Sequence, residues 1–145
     1  MKKTGYKFLN HTADVSVEAR GKNLEEAFEQ TVYSLMETIT PSLKSISPKI
    51  ERIITVKAED KEALLFDFLS EFLYIFDVEE LIFNKVEIHP ITKEKNTYHL
   101  KAIAKGEKFN RLKHEPGTEV KAITYSFMNI EQKKNEVKIK IVFDI

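Results

Sequence analysis

Asp14 and Asp144 are the residues of this chain whose type and setting point most directly to chemistry. Asp14 stands in "LNHTADVSVEAR" (residues 9–20), just before an alternation that sets Val15, Val17 and Ala19 against Ser16, Glu18 and Arg20. Asp144 stands at the end of a second alternation, Val137, Ile139, Ile141, Phe143 and Ile145 against Lys138, Lys140, Val142 and Asp144. A period of two marks a strand with one buried face. Both aspartates fall opposite the main apolar set; one opens its strand and the other closes its own. If the two strands are antiparallel neighbours, both carboxylates emerge on the same face and at the same edge. With the terminal carboxylate of Ile145 the cluster carries about three negative charges, and such a group holds a hard cation, shares protons or repels itself. Oxygen donors alone favour Ca²⁺, Mg²⁺ or Mn²⁺ over Zn²⁺. Spacing also leaves open that Asp14 caps a turn and Asp144 is a solvated strand end.

The elements that must position these groups follow from periodicity. "YKFLNH" pairs with "DVSVEAR" as short strands. "KNLEEAFEQTVYSLMETI" reads as a helix with Asn23 as N-cap and Glu26 three residues on, and with Leu24, Ala27, Phe28, Thr31, Leu35 and Ile39 on one face. "TPSLKSISPK" is a loop between Pro41 and Pro48, and "IERIITVKA" is a strand. "EDKEALLFDFLSEFLYIFD" is a second helix opened by Asp60. It is apolar around most of its girth through Leu64, Leu65, Phe68, Leu69, Phe72, Leu73 and Phe76, so it is the expected central core helix. Four strands follow: "LIFNKVEIHP", "NTYHLKAIAKGE", "EVKAITYSF" and "NEVKIKIVFDI". The expectation is an α+β fold: one domain over residues 1–145, an α/β sandwich with two helices packed on a largely antiparallel or mixed β-sheet.

Composition narrows the classes. The chain has 145 residues, 42% apolar and 32% charged, with 23 basic against 23 acidic residues. That suits one soluble domain with a real core and argues against coating nucleic acid by bulk charge. No apolar run approaches the ~18 residues a membrane span needs. The basic start lacks the apolar stretch of a secretory signal. Without cysteine there is no disulfide, thiolate nucleophile or thiolate metal site, and a cytoplasmic location is expected. Four glycines and no phosphate-loop or nucleophile-elbow motif speak against a nucleotide cradle.

Four stretches, "HTADVSVEARGKNLEEAFE", "LLFDFLSEFLYIFD", "HEPGTEVKAITYSF" and the final "FDI", occur in an order and at spacings that resemble the archease family over nearly the whole chain. The resemblance implies a small α/β protein that is not an enzyme itself. It acts with the RtcB-type RNA ligase, the GTP-using ligase of tRNA splicing, promoting guanylation and multiple turnover and broadening nucleotide use. It implies that Asp14, Asp144 and Ile145 bind the metal, the same cluster that strand parity suggests. The chain departs from the family pattern at Asn110, where many members have Asp, at Ser126, where many have His, and at Phe68, where Trp is usual.

Other residues carry secondary expectations. His11 is a candidate proton carrier or a partner holding Asp14, against the plainer reading of a histidine bonded to its turn. The stretch "KGEKFNRLKHEPGTEVK" reads as a long basic loop, with Lys105, Lys108, Arg111, Lys113, His114 and Lys121, that either docks the ligase or is simply solvated. His114, Glu115 and Lys121 are the expected partner contacts there. Glu71 is expected to be the solvent-facing residue of the core helix. His89 and His99 lack the spacing of a metal pair. The residues leave open an adaptor or chaperone in which the carboxylates are incidental. A metal-dependent hydrolase is less supported, since no base is paired with a nucleophile-activating site. Direct RNA contact and oligomeric state stay open.

Overall fold

The computed structural model describes residues 4–9 and 14–145. Eight strands and two α-helices follow in the order β1 (Gly5–Leu9), β2 (Val15–Gly21), α1 (Leu24–Ile39), β3 (Ile50–Ala58), α2 (Lys61–Glu79), β4 (Leu81–Ile88), β5 (Thr92–Glu94), β6 (Thr97–Lys108), β7 (Ala122–Lys133) and β8 (Glu136–Asp144), with a 3₁₀ turn at Leu43–Ser45. One sheet runs β1-β2-β8-β7. The other runs β3-β6-β4, with β5 also on β6. Every pairing is antiparallel.

The helices touch both sheets. α1 packs on β2, β8 and β1 of the first sheet and on β4 of the second, while α2 packs on β7 of the first and on β3, β6 and β4 of the second. A helix pressed from two sides must be apolar over most of its surface. In α2 Leu64, Leu65, Phe68, Leu69, Phe72, Leu73 and Ile75 are all buried. Phe28, Phe68, Phe72 and Phe83 form a chain of ring contacts through this layer. The expected α+β sandwich is the observed one, with the helices forming its filling.

Both helices start where the caps predict. The Asn23 side chain accepts from the Glu26 N–H at 2.8 Å, and Asp60 accepts from the Ala63 N–H at 2.7 Å. Glu26 reaches back to the Lys22 N–H at 2.8 Å, one residue earlier than the usual reciprocal bond. On the second sheet the register of β4 shifts between Phe83 and Lys85, and β4 presses onto β6 at Gly106. A Cβ there would lie 1.8 Å from the Ile82 carbonyl oxygen, so only glycine fits. Among the described residues no helix is long and apolar enough to cross a membrane.

Candidate functional site

Three strand ends meet at one edge of the first sheet. β2 and β8 are antiparallel neighbours whose pairing ends with Val15 opposite Phe143, so Asp14 and Asp144 are the residues that adjoin the last paired rung at this edge. Val15, Val17, Ile141 and Phe143 turn toward the helices, and Asp144, next along β8, faces the other way. β7 starts on the far side of β8, with Ala122 opposite Asp144, and the Lys121 N–H donates to the Asp144 carbonyl oxygen at 2.7 Å. Asp144 is exposed, Asp14 half-buried, and Ile145 packs its side chain against the core. Asp14, Asp144, Ile145 and Lys121 therefore all lie at the same edge of this sheet.

The donor set is all oxygen and lies at the rim of a sheet, where Asp144 is exposed. That chemistry fits a hard divalent cation that keeps water or partner oxygens in its remaining positions. Among the described residues no three His, Cys, Asp or Glu side chains come close enough to hold an ion by themselves. A site here consists of two side-chain carboxylates completed by the terminal carboxylate or by donors from elsewhere. His11, expected beside Asp14, lies outside the described residues.

The stretch read as a long basic loop is an anchored connection. The N–H groups of Gly117 and Thr118 donate to the carbonyls of Ile39 and Thr38, each at 2.8 Å, and so satisfy the open end of α1. The Thr40 hydroxyl donates to the Glu115 carbonyl at 2.7 Å. Approach is so close that a Cβ on Gly117 would lie 2.3 Å from the Thr38 oxygen. Asn110 makes the preceding turn: its side-chain oxygen accepts from Leu112 N–H at 2.9 Å, and its carbonyl accepts from Lys113 and His114.

His114 is the residue that the structure reassigns. Expected as a partner contact, it is only 1% exposed, behind the loop. Its Nδ1 accepts from the Asn110 N–H at 2.9 Å, so the proton sits on Nε2, which donates to Glu107 Oε2 at 2.8 Å. The same oxygen takes the Lys113 ammonium at 2.7 Å and the Ser47 N–H at 2.8 Å. Burial alone would raise the Glu107 pKa. The bonds from Lys113, Ser47 and His114 outweigh it and bring the pKa down to about 2. This knot ties the end of β6 to the loop before β3. Glu115 and Lys121 keep exposed side chains. Glu71 is exposed, as expected.

β7 holds a feature that no residue pattern announces. Thr124 pairs with Val142 and Asn129 with Lys140, so five steps along β7 answer two along β8. The surplus forms a bulge. Within it Phe127 has φ +60°, a left-handed conformation unusual for a bulky residue, and its side chain is 79% exposed. Tyr125, 52% exposed, stacks on Phe66 of α2 with ring centroids 4.2 Å apart.

Two antiparallel sheets enclosing a helix pair define a small α+β protein, with Asp14 and Asp144 at the edge where β2 begins and β8 ends. Residues 6–145 match the model of the archease protein family, and the chain belongs to that family. It is 38% identical over 140 residues to the protein archease of Methanosarcina mazei, covering 97% of this chain and 95% of that one. Its fold is similar to the solution structure of Methanobacterium thermoautotrophicum protein 1598, with a TM-score of 0.82 at 30% identity over 97% of this chain and 99% of that one. It is also similar to the crystal structure of an archease from Thermotoga maritima described as a possible chaperone. There the TM-score is 0.61 at 26% identity, covering 96% of each chain.

Proposed function

We propose that this protein is a metal-binding, non-enzymatic activator of an RtcB-type RNA ligase. It would act in the cytoplasm in tRNA splicing, promoting ligase guanylation and multiple turnover and broadening nucleotide use. The observation that supports this reading most is the β2–β8 register, which ends with Val15 opposite Phe143 and so leaves Asp14 and Asp144 each one residue beyond the last rung at the same edge. Asp14, Asp144 and the terminal carboxylate of Ile145 would hold a divalent ion, Ca²⁺, Mg²⁺ or Mn²⁺. Bound there, the ion supplies charge stabilisation to phosphate oxygens during nucleotidyl transfer. The chain's own residues do the placing. The hydrogen bond from Lys121 to the Asp144 carbonyl fixes the strand end, and exposure of Asp144 lets the group be presented to another protein's active site. The Lys121 ammonium, also exposed, is suited to a phosphate.

Single-turnover guanylation of the cognate ligase with GTP and Mg²⁺ tests the reading. Native protein should stimulate the step, and Asp144→Ala should lose stimulation while keeping the fold. Full stimulation by Asp144→Ala would remove the edge from the mechanism.

A second reading, an adaptor or chaperone, is favoured by the exposed Phe127 and Tyr125 and echoes the description of the Thermotoga maritima relative. It requires suppression of aggregation for unrelated clients, unaffected by chelator or by loss of Asp14.

A further inference from the structure

Among the described residues seven large apolar side chains are substantially exposed, and four of them, Tyr74, Val78, Tyr125 and Phe127, sit on α2 or on the β7 bulge packed against it. The exposed charged residues within α2 carry one sign, while Arg52 of β3 is paired with Glu79 at the end of the helix. The exposed positions within α2 are Glu62, Asp67, Glu71, Tyr74, Asp77 and Val78, with no lysine or arginine among them. Asp67, Glu71, Tyr74 and Val78 recur at i, i+4, i+7 and i+11 and so form one line along the helix. Like charges at i and i+4 repel, and no ion pair relieves Asp67 or Glu71 among the described residues. Asp67 also lies near the bulge: after burial, its charge is the next contribution raising the Tyr125 hydroxyl pKa.

We propose that this acidic, aromatic face is a docking surface for a protein that presents lysine or arginine around an apolar recess, with Phe127 as the inserted side chain. Naming that protein as the ligase rests on the activator reading above. Carboxylates exclude the other occupants. They repel RNA phosphate and anionic lipid headgroups, and a two-fold pairing through this face would bring two acidic surfaces together with no exposed α2 cation to offset them. Position supports the same partner. Ala122 opposes Asp144 and Tyr125 follows three residues later on the same strand, so a protein seated on the bulge is held next to the carboxylate edge.

Binding of the full chain to immobilised cognate ligase, at low and at moderate salt, tests the proposal. Phe127→Ser and the double variant Asp67→Lys, Glu71→Lys should each weaken binding by about tenfold or more, and salt should weaken the native protein more than the double variant. Asp144→Ala, outside this face, should lose stimulation without removing the salt dependence that the acidic face gives to binding. Variants of the face that bind like the native chain would overturn the surface and leave the activator reading standing. A native chain that does not bind the ligase would overturn both. A dimer in sedimentation that Phe127→Ser dissociates would assign the face to a second copy and overturn the proposal. Phe127 is largely exposed, so loss of fold is not expected, and circular dichroism of each variant checks it.

Discussion

Glu107 and Asp144 are carboxylates in opposite circumstances. Glu107 is 9% exposed and its Oε2 is met by an ammonium, an imidazole N–H and a main-chain N–H. Asp144 is exposed at a strand end, and among the described residues no side-chain or main-chain donor holds its carboxylate. The first is already satisfied by the protein, and its job is to tie β6 to a loop. The second has its main chain fixed by Lys121 and its charge left available. What separates the two carboxylates is the supply of internal donors, since both sit on strands of the same fold.

The sharpest way to test that contrast is to remove each charge in turn. Glu107→Ala strands buried His114 and half-exposed Lys113 without their acceptor, and should cost about 2–4 kcal/mol in urea unfolding. Asp144→Ala should stay within about 0.5 kcal/mol of native, as exposed substitutions do. Equal losses would erase the distinction.

Acid titration follows the same line. The folded pKa of Glu107 is depressed to about 2 from an ordinary value of 4.5, so its contribution is fully present above the unfolded pKa. It is lost as pH falls from about 5 toward 2. Native protein should lose stability steeply across that window, and Glu107→Gln should flatten the slope. Unchanged slopes would show that other carboxylates govern acid unfolding.

Gly117→Ala probes the loop that the knot secures. A Cβ would meet the Thr38 carbonyl, so α1 and the loop must part, at about 1–3 kcal/mol. A neutral result would mean the loop yields freely. One expected change is a gain: Phe127→Gly removes the left-handed strain in the bulge and should stabilise by about 1 kcal/mol while weakening binding at the proposed docking face. If stability falls instead, the phenylalanine is held by packing and not displayed for a partner.

Much of the fold and of the candidate site is legible in the order of residues alone. Helix starts are written in Asn23 and Asp60, because a cap is a local hydrogen bond between near neighbours. The edge is legible as parity: Asp14 and Asp144 each sit one residue beyond a buried, alternating run, and only the pairing of β2 with β8 has to be supplied. The central position of α2 shows in leucine and phenylalanine around its girth.

What stays hidden depends on distant partners. His114 looks like one more polar residue of a basic loop, since its burial comes from Glu107, Phe109 and the end of α1, none of which periodicity connects. The stretch read as the strand "EVKAITYSF" continues to Lys133 through the bulge. No glycine announces the positive φ at Phe127, so nothing in residue type marks the interruption. β5 is three exposed residues, too short to show alternation.

The central claim is that the β2–β8 edge holds a cation, and calorimetric titration of the isolated protein with Mn²⁺ and Ca²⁺ tests it most directly, alongside Asp14→Asn and Asp144→Asn. One ion per chain is expected for the native protein, with affinity reduced at least about tenfold in each variant as a charged ligand becomes neutral. Undiminished binding in both variants, or no binding by the native chain, would contradict it.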